Sequence, residues 1–325
     1  MKNLIAILIF SVQLSVVHAQ LIKVSTTNYR SEFSSKEGKL NGEYISFYTN
    51  GNVKARGELI NNVRTGKWIV NDSTGKKIHE RNYSNDFLSF VKLFPVPEEK
   101  GPASLFDSSF YHAVKDKSGM IPYFPLKERA VVYASRIWRN IPKDQNQHLY
   151  AKDFLYKIVF AFVTDSSNLS YCSEDDDFAK QIFPSQLKKY SVKNYAIISY
   201  KIKEDCIIDS DRMVSESRII GICPVGVNLK TKDTLDLYWI YFPYLREPFS
   251  ENMTKIKNAK GEQQTIDDIF FFRNFSSLIY KKANVYDMLL KDYCKTTAEL
   301  EREQWRIETE ILEAEHDFWL GKMPD

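Results

Sequence analysis

The sequence lacks most of the residues and spacings by which chemistry is recognised. Histidine is scarce: outside the first nineteen residues only His79, His112, His148 and His316 occur. H-E-x-x-H, G-x-S-x-G, the P-loop and G-x-G-x-x-G are all absent, which excludes zincin chemistry, the nucleophile elbow and the phosphate-cradling loops. Cysteine is confined to Cys172, Cys206, Cys223 and Cys294 with no C-x-x-C, which removes zinc-knuckle and thioredoxin-type readings. Glu315-His316-Asp317 looks like an acid-base cluster. Adjacent helical residues point to different sides, so these three cannot converge on one substrate atom, and His316 reads as a helix-end charge partner. A Ser-His-Asp site assembled from distant residues stays open, because such triads have no fixed order. The acidic run Glu174-Asp175-Asp176-Asp177 lacks the turn glycine and distal glutamate of a calcium loop and reads as a solvated loop.

Charge of one sign is missing too. Lys+Arg number 45 against Asp+Glu 42, too balanced for a nucleic-acid binder. No apolar run reaches the roughly 18 residues of a membrane-spanning helix. The longest, Leu4 to Val17, is broken by Ser11, Gln13 and Ser15. With Lys2 before it and Val17-His18-Ala19 after it, residues 1–19 are expected to be an export signal. Gln20 would follow the cleavage point, with no cysteine there to make a lipoprotein. Export permits disulfides, and four cysteines allow three connectivities. Cys223, inside an apolar strand, is expected to be a free core thiol, with Cys172 and Cys206 the preferred pair.

What is present is mostly strand-forming. Arg218 to Val225 and Leu235 to Pro243 are rich in Ile, Val, Tyr, Trp and Phe and are joined by a polar segment. With Asn194 to Lys203 they predict an antiparallel meander. Its most buried strand should be Leu235 to Phe242, and Asn194 to Lys203 should lie nearer an edge. Upstream, Asn41 to Leu59 and Thr65 to Tyr83 match at a 24-residue shift, with Gly42 against Gly66, Tyr44 against Trp68, Gly51 against Gly75 and Leu59 against Tyr83. Each unit reads as a β-hairpin turning at Asn50-Gly51, and the pair as a stacked module over 37–83 that should fold separately from the main domain. The pattern resembles the MORN-variant repeat. Residues 84–128 hold five of the eleven prolines yet many aromatics, and read as an ordered connector. Residues 129–325 form the main domain. Thr265-Ile266-Asp267-Asp268 and Thr296-Thr297-Ala298-Glu299 are helix-start capping signals. The last helix carries a stripe of Leu300, Ile307, Ile311, Ala314 and Phe318, widened by Trp305, Leu312 and Trp319. The expected fold is α+β: an antiparallel sheet domain with flanking helices and a long C-terminal amphipathic helix, preceded by the small hairpin module.

Four ordered motifs resemble the GldN/PorN family of the type IX secretion and gliding machinery. They are RIWRNIP (Arg136 to Pro142), RIIGICPV with DLYWIYFP (Arg218 to Pro243), DDIFFFRNFSSLIYKKANVYD (Asp267 to Asp287) and LEREQWRIETEILEAEHDFW (Leu300 to Trp319). The resemblance implies a non-enzymatic structural component in the periplasm, without cofactor or metal. It would assemble in several copies with a lipoprotein of GldK/PorK type beneath the outer membrane, and contact a GldM/PorM-type motor component. Neither nucleic acid nor a direct membrane span is expected. Cys223, Pro224 and Trp239 are the expected core motif. The expected partner interface is Trp305, Trp319 and Phe318, with Phe94, Phe110 and Tyr111 of the connector. Two other classes compete: an exported hydrolase with a dispersed site, and a repeat-led envelope-binding module.

Overall fold

Alternating apolar and polar residues build a seven-stranded antiparallel meander at the start of the chain. Its strands are β1 (Gln20–Ser25), β2 (Arg30–Lys36), β3 (Lys39–Phe47), β4 (Val53–Ile60), β5 (Val63–Asn71), β6 (Lys77–Ser84) and β7 (Phe87–Leu93), in sequence order across the sheet. This computed structural model describes residues 20–25, 29–94, 114–168, 170–258 and 261–321. The expected export signal, Phe110 and Tyr111 lie outside them. The 24-residue period is visible, and the first unit is a hairpin that turns at Asn50-Gly51 as predicted, though through a longer loop than two residues. Asn50-Gly51 sits in a five-residue loop between β3 and β4, closed by Tyr48 N–H to Asn52 O at 2.9 Å. The two-residue turns are at the opposite end, at Glu37-Gly38, Asn61-Asn62 and Asn85-Asp86, every one of these six residues having positive φ. That is the turn whose twist matches antiparallel strands. The period is locked by side chains: Asn62 Oδ1 accepts from Leu40 N–H at 2.7 Å, and 24 residues on Asp86 Oδ1 accepts from Arg64 N–H at 2.9 Å.

The second sheet and its helices begin with β8 (Val131–Pro142), α1 (Gln147–Tyr150), α2 (Phe154–Thr164), β9 (Cys172–Ser173), β10 (Gln181–Ile182) and α3 (Pro184–Leu187). Two fifteen-residue strands come next, β11 (Tyr195–Asp209) and β12 (Val214–Asn228), then β13 (Thr234–Asp236), β14 (Trp239–Tyr241) and α4 (Arg246–Ser250). A small ribbon of β15 (Met253–Lys257) and β16 (Gln263–Thr265) leads to α5 (Ile266–Phe271), β17 (Leu278–Lys282), α6 (Leu290–Tyr293) and α7 (Thr297–Trp319). The sheet order is β10-β9-β14-β12-β11-β8-β17.

Two strand expectations change. β11 is central, paired with β12 on one side and β8 on the other; its buried Lys203 meets Asp177 at 3.1 Å. The stretch Leu235 to Phe242 breaks into β13, exposed throughout, and the short β14. The most continuous burial belongs to β12, over Gly221 to Gly226.

On one face of this sheet, Ile197, Tyr200, Ile202, Ile219, Ile222 and Ile240 pack under α2, α4 and α5. α5 starts as predicted, Thr265 Oγ1 accepting from Asp268 N–H at 3.1 Å. Part of the segment behind β7 lies over the chain's own surface, Arg246 donating to Ile121 O at 2.7 Å. All four cysteines are free. Cys172 aligns through Ile240 and Ile222 with Ile202, which puts three strand spacings, roughly 14 Å, between its strand and that of Cys206. No disulfide spans that gap.

Candidate functional site: a charged helix joint and an exposed apolar turn

The apolar residues of α7 are wide enough in their arc to serve two surfaces, and both are used. Ile307, with Leu300 and Ile311 beside it, packs on Ile137, Cys206, Ile279 and Leu290. Trp305, Leu312 and Trp319 pack on Phe33, Tyr44, Trp68 and Tyr83 of the N-terminal meander. The helix therefore wedges between the two sheets. Trp305 Nε1 donates to Gly38 O at 3.0 Å, and His79 Nε2 donates to the Trp319 carbonyl at 2.8 Å. Arg81 lies 3.7 Å above the Trp319 ring.

Between these contacts runs a chain of buried charges. Glu313 receives Lys54 at 2.6 Å and the Tyr44 hydroxyl at 2.9 Å. Glu315 is paired with Arg64 and accepts from Tyr83 at 3.1 Å. Glu308 accepts from Asn62 at 2.9 Å and from Arg139 Nη2 at 3.0 Å. Arg139 also reaches Glu204, which Arg273 holds at 2.7 Å. Three glutamates on one helix thus clamp the meander on one side and β8 and β11 on the other. A cavity of about 290 Å³ lies beside this clamp, walled by Arg64, Arg212, Arg273, Cys206, Phe124 and Leu312 among others.

His316 is fully buried against Tyr44, Trp68 and Trp319, and its Nδ1 meets Glu313 at 3.1 Å. It is a core residue, which corrects the expectation of a helix-end charge partner. Burial drives its pKa below the ordinary value, more than Glu313 restores. Burial likewise pushes the Cys206 thiol up to about 12, far from a usable thiolate. Among the described residues no group of three or more His, Cys, Asp or Glu is placed to hold a metal. In the acidic run, Asp176 accepts from Trp138 Nε1 at 2.6 Å and Asp175 accepts from Ala179 N–H at 3.0 Å.

Of the expected interface residues, Trp305 and Trp319 are 9% and 3% exposed and face the meander, with Phe318 packed beside them. While α7 stays seated, neither indole is available to another molecule. Phe94 comes directly after β7 and stacks with Lys77 and Lys92. Cys223 and Trp239 form a small cluster with Trp138 on the opposite face of the second sheet, and Pro224 lies in β12 between them and the core. The structure brings none of these sets together into one site.

A different apolar surface stands out. After β17, Val285 and Tyr286 are 96% and 83% exposed. Their turn is held from within: Asn284 Nδ2 donates to Lys282 O at 2.9 Å and Met288 O at 2.8 Å, and its Oδ1 accepts from Met288 N–H at 2.9 Å. Asp287 pins the turn to Lys281 at 2.5 Å. Two large apolar side chains are thus displayed on a preorganised support. The sequence marks Asn284 to Asp287 as a motif, but apolarity alone signals burial and gives no sign of this exposure.

The described chain is thus α+β, with an internally paired charged joint and a displayed apolar turn. The model of the GldN family, gliding motility associated protein GldN, matches residues 126–320, and the chain belongs to that family. It is a family of gliding-motility and type IX secretion components. No curated protein matches the chain. The matched region begins just before β8 and ends after α7, so α7 lies inside it and the meander seating that helix lies outside. No described helix is long and apolar enough to cross a membrane.

Proposed function

We propose that this protein is a non-enzymatic structural subunit of a type IX secretion and gliding apparatus, working in the periplasm. It would be held beneath the outer membrane by a lipoprotein of GldK/PorK type and would contact a GldM/PorM-type motor component, in several copies. The observation carrying this reading is the family match over residues 126–320. Further support comes from the Asn284 turn inside that region, whose exposed Val285 and Tyr286 form a rigid apolar contact of the kind that anchors an interface. The test is co-purification from the native envelope, comparing wild type with a Val285→Ser/Tyr286→Ser variant. Both side chains lie in solvent, so the variant should melt like wild type and lose its envelope partner. Unchanged recovery of the partner would overturn the assignment of this turn. Absence of any secretion-apparatus protein from the wild-type eluate would overturn the function itself.

A further inference from the structure

The net charge of the chain is concentrated at one pole of the second sheet. β11 begins and β12 ends at this pole, and two loops flank it, residues 183–194 and 228–233. They carry Lys188, Lys189, Lys193, Lys230 and Lys232 against Asp233 alone, a net +4 on eighteen residues, whereas the whole chain carries +3. The remainder is slightly acidic. All five lysines are exposed, and among the described residues none forms an ion pair.

The two loops make one continuous surface. Leu229 N–H donates to Asn194 O at 2.8 Å, and Asn194 Nδ2 donates to Lys189 O at 2.8 Å. The second loop is fixed by Asn228, whose Oδ1 accepts from Lys230 N–H at 2.9 Å and Thr231 N–H at 3.2 Å. Its backbone N–H and C=O bond Asp233 O at 2.8 Å and Lys232 N–H at 2.9 Å. One apolar side chain of the second loop projects there as well: Leu229, 43% exposed. The pole is also remote from the charged joint. The other end of the β11–β12 hairpin touches the meander, Arg81 donating to Met213 O at 3.0 Å. Fourteen strand residues separate the ends, about 46 Å.

We infer that this pole binds an anionic phospholipid surface. The cations are all lysines with no arginine in either loop, so the patch offers point charges rather than the bidentate forks that protein carboxylates select. Clustered lysines are drawn to anionic headgroups through the diffuse surface potential. Leu229, between them, has the size and position to enter the headgroup–acyl boundary once the lysines are there. A lipid-facing pole opposite the joint orients the molecule with its long strands across the gap between a bilayer and whatever the meander end meets. This binding is independent of the secretion reading and holds for the isolated chain.

The test is vesicle sedimentation of the full-length mature protein. It should bind phosphatidylcholine vesicles containing about 30% phosphatidylglycerol, ignore pure phosphatidylcholine, and be released by roughly 0.5 M salt as screening shortens the field. Each lysine changed to glutamine should weaken partition about fivefold. The combined variant Lys188→Gln/Lys189→Gln/Lys193→Gln/Lys230→Gln/Lys232→Gln should lose binding with an unchanged thermal transition. Leu229→Ser should weaken binding while keeping its salt dependence. Failure of wild type to bind the anionic vesicles overturns the inference, as does full binding by the lysine variant. Loss of an acidic protein partner by that variant, with no vesicle binding by wild type, would reassign the pole to protein docking.

Discussion

Glu313→Ala tests whether the joint holds the two sheets as one cooperative body. The carboxylate is 3% exposed and contacts Lys54, Tyr44 and His316. Burial would raise its pKa; His316 and Lys54 outweigh that and hold it at about 2 against an ordinary 4.5. Lys54 supplies the permanent charge. The depression corresponds to about 3 kcal/mol at 1.36 kcal/mol per pH unit. The folded carboxyl titrates below the unfolded one, so this stabilisation is complete above pH 4.5 and is lost as pH falls through about 2. Alanine also leaves the buried Lys54 with only Asp317, at 2.9 Å. The expected cost is about 3–4 kcal/mol, within the range for breaking a buried pair. Urea titration at pH 7 measures it, followed by tryptophan fluorescence, to which Trp68, Trp305 and Trp319 contribute at the joint, and by far-ultraviolet circular dichroism for the whole chain. Both signals should shift together with an unchanged slope. A loss below about 1 kcal/mol, or a fluorescence transition separating from the dichroism, would refute the reasoning. The double replacement Glu313→Leu/Lys54→Met should recover most of the loss, since apolar packing can substitute for a buried pair.

Gly57→Ala should cost about 2–3 kcal/mol in a thermal melt, because the new Cβ would lie 2.1 Å from the Trp68 ring, which rests flat on that strand. Lys39 is fully buried without a carboxylate partner, and burial lowers its pKa to about 8; its folded pKa is below the unfolded one, so the penalty grows as pH falls from 10.5 and is complete by about 8. Lys39→Met should therefore gain about 1–2 kcal/mol at pH 7 and nothing at high pH in parallel urea titrations. Trp239→Ala removes a side chain 6% exposed and should cost about 3 kcal/mol, partner recovery falling only in step with the folded fraction. With four free thiols, a reducing agent should leave the melting temperature unchanged; a drop would show a disulfide.

The elements are legible in the sequence more readily than their partners. The α7 stripe, its Thr296 cap and the start of α5 can be read from local spacing. The destination of the stripe cannot, because Glu313 meets Tyr44 across 269 residues and Glu315 meets Tyr83 across 232. On the helix those carboxylates look like an ordinary polar flank, and only the buried Lys54 and Arg64 make them core. For the same reason the repeat pattern points to a separately folding hairpin module, whereas its apolar face is completed by Trp305, Leu312 and Trp319. The turn positions are readable in principle. Asn50-Gly51 marks the turn inside the first unit, and Glu37-Gly38, Asn61-Asn62 and Asn85-Asp86, which recur every 24 residues, mark the two-residue turns at the other end of the strands. Tyr286 shows the opposite failure: pattern assigns a large aromatic to an interior, and only the self-contained hydrogen bonding of Asn284 explains how it stands in water.

The apolar face of the meander is covered by a helix far along the chain, α7. Lys54 and Glu313 are 259 residues apart, and closing a loop of that length costs on the order of 5 kcal/mol of chain entropy. Until residues 297–319 dock, Tyr44, Trp68 and Tyr83 have no floor beneath them. A chain in which α7 has not yet docked therefore presents an aromatic sheet. Any factor that keeps it from aggregating in that state must hold the same surface that α7 later occupies.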